Sequence, residues 1–424
     1  MRIVVRAADA RVARDAQALL ADAGITATAL AGPFRDAPDG EDIRILADDR
    51  LAPADGKGAL LSTLIGRRIE EPPALGLESV SGALALNAPR RLLAAQMDAW
   101  TRVAIAEEER ARRLATAAAL GIAAPKAPEP RKLKALYIGA PSSVFLALER
   151  TLADQNGLVA AAFTSYTGFD HLHDEPFDAV VLNGAHDPST ALSLCSALRR
   201  NATLYHLPTL VLTKPGDTAT AASAIDRGAS AICTAVTPSD ASMGWLFEAV
   251  RRERRRRAAE HDMRALRDLM GDARTGLWLR EPFDVHLARL TTDHHASGRP
   301  MSMVVLRVTP AIGAPEPSPE VWRKGFSEIA SLAARLMRDA DSGVTLGADL
   351  IALALPAARL KNAKRTAERI ASVAECTAFA SGEGAAGPLV FEQSVVELQP
   401  GESGAAMLAR ALRAIDVEVE SITA

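Results

Sequence analysis

The sequence predicts an α/β chain: two doubly wound parallel sheets of the flavodoxin-like kind, followed by a smaller α+β domain. Short apolar runs alternate with helical patterns over about the first 250 residues, as in parallel sheets with helices on both faces. A Pro-rich stretch, GIAAPKAPEPR at Gly121–Arg131, divides that region, because its prolines cannot continue a helix. The last third carries a longer strand, Met301–Val308, and a hairpin around Gly347.

In the first region Ile3–Val5, Thr26–Leu30 and Ile43–Leu46 read as strands and Ala10–Ala23 as a helix; Leu51–Leu77 has no clear pattern. Ala94–Leu120 has strong helix formers without Pro or Gly and predicts a long helix closing a domain over 1–120. Beyond the linker (121–132), Lys134–Ile138, Leu158–Phe163, Ala179–Leu182, Thr209–Leu212 and Ala231–Cys233 read as buried strands. Val144–Leu152, Ala191–Arg200 and Thr218–Asp226 read as the helices between them, in a domain over 133–250. A helix from Ala241 runs on through the Arg-rich stretch Arg251–Arg257, read as a solvated face. It connects (251–267) to a last domain over 268–424.

The bulk numbers narrow the function. The 424 residues, 48% of them hydrophobic, suffice for two to four domains with sizeable cores. A net charge of -3 gives no footprint for nucleic acid, so no such partner is expected. No apolar run reaches the ~18 residues that span a bilayer. The start, MRIVVRAADARVARD, is charged where a signal peptide is apolar. A cytoplasmic protein without membrane insertion is expected. Cys195, Cys233 and Cys376 fit neither a metal spacing nor a disulfide framework.

Residues 133–250 resemble response-regulator receiver domains. That resemblance implies an acidic pair after the first strand, an Asp ending the third, a Ser/Thr after the fourth and a Lys after the fifth. Here the first position is Gly139-Ala140, the phosphoacceptor is Asn183, Thr213 matches, and Ala235 replaces the lysine. An amide is too poor a nucleophile to form an acyl phosphate, so a scaffold or dimerisation module is expected. The first domain resembles a more worn receiver. Asp48, beside Asp49, is its candidate acceptor but reads more simply as a loop residue.

Residues 268–424 resemble GGDEF domains, the diguanylate cyclase family. Asp272-Ala273-Arg274-Thr275-Gly276-Leu277 matches the entry motif, Phe283, His286 and Leu287 the first helix, and Leu346-Gly347-Ala348-Asp349-Leu350-Ile351 the signature hairpin. The family's reaction needs two metal ions held by carboxylates. Arg307 stands at the strand position of one such Asp, and Leu350 at the catalytic acid. Ala348 replaces a signature Gly, while Gly347 and Asp349 are kept. The stretch Ala311–Pro319 lacks the family's ribose- and base-binding residues. Neither a cation nor an isobutyl group binds Mg²⁺, so an inactive homologue needing no metal is expected. The alternative, an active cyclase response regulator, is opposed by Arg307 and Leu350.

The family's inhibitory site implies an Arg-x-x-Asp five residues before the signature and an Arg in the next helix. Arg338 and Asp341 hold that position relative to Gly347, and Arg369 lies 22 residues beyond it. The same tetrapeptide at Arg6–Asp9 and Arg413–Asp416 lacks this context. Cyclic di-GMP is the implied ligand. Asp341 would accept two hydrogen bonds from a guanine edge, Arg338 would fork onto guanine or phosphate, and Arg369 would neutralise a phosphate. A surface ion pair between Arg338 and Asp341 is the plainer alternative, as part of a domain that binds no nucleotide. Two degenerate receivers before a degenerate GGDEF domain also resemble a class of alphaproteobacterial cell-cycle adaptors. That resemblance implies a homodimer at a cell pole and partners of a regulated-proteolysis pathway, the protease ClpXP and its substrate CtrA.

Overall fold

The computed structural model describes residues 2–32, 42–47, 62–71, 80–126, 131–235, 240–314, 316–377, 379 and 388–415. Asp48, Asp49 and Asp416, and much of Leu51–Leu77, lie outside them. By packing, the chain forms two units: Met1–Ala104 with Pro128–Ala258, and Ile105–Ala127 with Ala259–Ala424.

The first unit holds two parallel sheets. Strands β1 (Ile3–Ala7), β2 (Ala27–Ala31), β3 (Ile43–Leu46), β4 (Ser62–Arg67) and β5 (Gly82–Ala85) lie in the order β2-β1-β3-β4-β5. Helix α1 (Ala10–Asp22) is capped by Asp9, which accepts from the Arg11 amide. It buries Ala13, Ala16 and Leu20, spaced three and four apart on one face. Strands β4 and β5 escape the sequence pattern. β4 contains Ser and Gly, and β5, GALA, has no β-branched or aromatic residue. Burial decides instead, since all four residues of β5 are buried.

β5 is an edge strand, yet its outward backbone groups are paired. The Ala83 amide donates to Glu248 (2.9 Å), the Ala85 amide to Gln96 (3.0 Å), and the Trp100 indole N–H donates to the Ala83 carbonyl (3.1 Å). Gln96 and Trp100 lie on helix α2 (Arg90–Ala119).

The second sheet contains β6 (Lys134–Ile138), β7 (Leu158–Ala162), β8 (Ala179–Asn183), β9 (Thr209–Thr213) and β10 (Ala231–Thr234). Its order, β7-β6-β8-β9-β10, repeats that of the first sheet. The intervening helices are α3 (Ser143–Asp154), α4 (Ser165–Asp174), α5 (Pro188–Arg200) and α6 (Thr218–Asp226). Thr164, Asp187 and Asp217 cap three of them. Helix α7 (Asp240–Met270) follows and carries the Arg-rich stretch. That stretch is not a plain solvated face. Arg254 pairs with the buried Asp178 (2.7 Å), Arg251 with Glu248, Arg256 and Arg257 with Glu253, and Arg255 donates to the Ser81 carbonyl.

In the second unit β11 (Met301–Pro310) is central. It pairs antiparallel with β13 (Leu350–Pro356) and β14 (Leu389–Glu397), and β12 (Ser342–Thr345) adds to β13. Period-two alternation splits the sheet between two cores. Met301, Met303 and Val305 pack with α8 (Arg280–Ser297) and α11 (Gly404–Arg413). Val304, Leu306 and Val308 pack with α9 (Pro319–Leu336) and α10 (Leu360–Glu375). Leu114 and Ala117, from the end of α2, belong to the first of these cores.

Candidate functional site

At the C-terminal end of the second sheet, Asn183 and Tyr137 are tied together by hydrogen bonds. Asn183 ends β8 and is buried; its amide donates to the Tyr137 hydroxyl at 2.7 Å, and its carbonyl accepts from the His186 amide. The Tyr137 hydroxyl donates in turn to the Ala140 carbonyl at 2.8 Å. Gly139 takes φ +150°, and a Cβ there would stand 2.5 Å from the Asn183 Cβ. The strand end therefore accepts glycine far more readily than an acidic residue. Thr213 is buried at the end of β9, and Ala235 follows β10. Tyr137 escapes sequence reasoning because it reads as one more apolar strand residue.

In the C-terminal domain the hairpin between β12 and β13 is built as the spacing predicts. Gly347 takes φ +85°, the Leu346 amide donates to the Leu350 carbonyl, and the Val308 amide donates to the Asp349 carbonyl. Arg307 stands opposite Leu350 on one side and Glu392 on the other. Its Nε lies 2.6 Å from the Glu392 carboxylate. Leu350 is 3% exposed, packed in the core with Met303 and Val305. Burial raises the Asp349 carboxyl against the pull of Arg307. The Trp322 indole donates to the Ala348 carbonyl at 2.9 Å, beside a cleft of about 360 Å³ lined also by Asp272, Arg323 and Gly347. Among the described residues no cluster of His, Cys, Asp and Glu suits a metal ion. Glu392 and Trp322 carried no signal, since each is defined by a neighbour distant in sequence.

The three residues of the candidate ligand site meet at one corner. Arg338 is exposed, just after α9. Arg369 is exposed on α10 and donates to the Leu336 carbonyl at 2.9 Å, two residues before Arg338. Asp341 differs from expectation. It is only 6% exposed, and Oδ2 accepts from the Arg338 backbone amide at 2.8 Å, so that oxygen is committed to the turn. It does not present two free oxygens, and its contact with Arg338 runs through backbone. Burial pushes its carboxyl up to about 6, opposed by the Arg338 amide and by the charges of Arg338 and Arg113.

No family model matches the chain, and no curated protein matches it. Solved structures do. The C-terminal part is similar to the GGDEF domain of DgcB from Caulobacter crescentus, solved in complex with c-di-GMP (21% identity, 35% of this chain, 88% of that one, TM-score 0.31). The receiver-like part is similar to a response regulator of Chloroflexus aurantiacus (19% identity, 30% and 98% of the chains, TM-score 0.25). It is also similar to the chemotaxis regulator CheY4 of Vibrio cholerae (17%, 28% and 99%, TM-score 0.26). The strand orders define the architecture: two flavodoxin-like parallel sheets and a four-stranded antiparallel sheet in an α+β domain. No helix among the described residues is long and apolar enough to cross a membrane.

Proposed function

We propose that this protein is a cyclic di-GMP effector whose GGDEF-type domain binds the dinucleotide without making it. The observation that carries this reading is the hydrogen bond from Arg369 to the Leu336 carbonyl. It draws the second guanidinium to the corner where Arg338 is exposed. Two exposed guanidinia there suit a dianion with two phosphates. Asp341 contributes one oxygen to a guanine edge while the other holds the turn. Catalysis is opposed by the same domain, where Arg307 with Glu392 and the buried Leu350 occupy the positions of metal-binding carboxylates. No metal is needed for such binding.

The finer reading is an adaptor of the PopA type: a homodimer that recruits partners of regulated proteolysis, ClpXP and CtrA, at a cell pole when the ligand is bound. The hydrogen bonds that tie up Asn183 support it by leaving the receiver-like domain a scaffold role. Titration calorimetry with cyclic di-GMP tests the site. Binding by the wild type, weakened by roughly 1.5–3 kcal/mol in Arg338→Ala, is expected; no wild-type binding sinks the proposal. Pull-downs with and without the ligand, in wild type and Arg338→Ala, test the adaptor role. An identical partner set in all four arms would leave the effector without an output.

A further inference from the structure

The candidate ligand turn is held from below by a residue of α2, more than two hundred positions away in sequence. Arg113 is 2% exposed, and each of its three nitrogens donates within the C-terminal unit. One Nη donates to the Asp339 carbonyl at 2.7 Å and the Asp341 carbonyl at 3.1 Å. The other donates to the Met263 carbonyl at 3.0 Å, and Nε donates to Glu109 at 2.8 Å. The guanidinium also lies 5.4 Å from the centre of the Trp278 ring. So two backbone carbonyls of the Arg338–Asp341 turn, those of Asp339 and Asp341, point at one buried cation.

Arg113 is itself fixed. Glu109 sits one helical turn earlier and is buried; burial opposes its ionisation, but His286, Arg113 and Arg112 hold its carboxyl well below the usual range. Arg112 reaches Asp293 at 2.7 Å, and Glu108 pairs with Arg299. These contacts, with Leu114 and Ala117 in the apolar core, latch residues 105–119 onto α8 and the turn. A buried planar fork bonded to several carbonyls has little freedom to shift, and a lysine could not make the same set.

We infer that Arg113 is a positioning residue for the dinucleotide site, so that ligand binding at Arg338, Asp341 and Arg369 is coupled to docking of helix segment 105–119. This rests on the function proposed above. The physical reason is preorganisation: a turn already fixed has less ordering to undergo on binding. Linkage then works in both directions, since a ligand that favours the ordered turn also favours the docked helix.

The test uses the full-length chain and cyclic di-GMP, with affinity from calorimetry and amide hydrogen exchange read with and without ligand. Arg113→Gln is expected to bind roughly tenfold more weakly at unchanged stoichiometry. In the wild type, ligand should slow exchange in 336–343 and in 105–119 together; in the variant, in 336–343 only. Glu109→Gln keeps the shape and removes only the carboxylate that orients Arg113. It should show the same uncoupling in weaker form, and it serves if Arg113→Gln does not fold. Unchanged affinity and still-coupled protection in a folded variant overturn the inference while leaving the ligand site standing. No binding by the wild type overturns the site, and this inference with it.

Discussion

Arg307 and Glu392 face each other on neighbouring antiparallel strands, their side chains joined across the sheet with Nε 2.6 Å from the carboxylate. On the function proposed above, the pair puts an internal cation where a cyclase would need a metal-binding carboxylate. Purified protein with GTP and Mg²⁺ or Mn²⁺ is therefore expected to form no cyclic di-GMP above blank. Product that copurifies with the chain and disappears on mutating this domain would refute it. The pair is partly exposed, so Arg307→Ala should cost less than about 1 kcal/mol. Arg307→Asp puts like charges directly opposite each other and should cost more. Denaturant melts of both variants check this order.

If the proposed function holds, ligand affinity should depend on pH through Asp341. Its folded-state value is about 6 against an ordinary 3.8. Affinity for cyclic di-GMP should fall as pH drops through about 6, as the carboxylate that accepts from guanine is protonated. For stability the sign is opposite. The folded state holds its proton where the unfolded chain has lost it, so stability falls as pH rises from about 4 to about 6, by up to roughly 3 kcal/mol. Asp341→Asn keeps an acceptor for the Arg338 amide. It should melt higher than wild type at pH 7 to 8 while binding the ligand more weakly, and a lower melting point there would contradict this.

His294 gives a second pH signature. Its Nε2 accepts from the Ala357 amide at 3.2 Å, and Nδ1 lies 2.8 Å from the Leu290 carbonyl, so the ring is neutral with its proton on Nδ1. Burial pushes its value down to about 4. The unfolded chain takes up a proton near 6.5 and the folded one does not. Stability is full above about 6.5 and is lost as pH falls toward 4, by up to roughly 3 kcal/mol. This opposes the Asp341 contribution between pH 4 and 6. Melts of Asp341→Asn should therefore show a steeper acid loss than wild type, and a His294→Gln change in that background should flatten it.

The hydrogen-bonded strand end at Asn183 should be inert to phosphodonors. Beryllium fluoride is expected to leave the amides around Asn183 unshifted, and an induced shift there would count against a pure scaffold. Gly139→Ala should cost about 1–3 kcal/mol, since it combines a left-handed backbone with a collision at the Asn183 Cβ.

Order and spacing were legible in the sequence; burial and distant partners were not. Alternating apolar runs locate β6 to β10 because each is a short apolar parallel strand that shows its character locally, even at the half-exposed edge strand β7. The Gly347 spacing finds Arg338 and Arg369, which the fold brings to one corner. The same spacing says nothing of Asp341 turning inward to its own turn, since a tetrapeptide reports neighbours along the chain and not depth. Arg113 is invisible for a plainer reason: its carbonyl acceptors at Asp339 and Asp341 lie 226 and 228 residues away. β5 is missed because GALA is a strand only by virtue of what covers it.

The paired edge at β5 bears on how the chain behaves at high concentration. An open strand border is a template on which another molecule's strand can add, the first step of ordered aggregation. Here Gln96, Trp100 and Glu248 supply the bonds that an intruding strand would otherwise make. Replacing Gln96 and Glu248 by alanine would bare two amides on a strand of small residues. The doubly substituted chain should lose solubility on concentration before it loses its fold, a change light scattering would register while circular dichroism stays level.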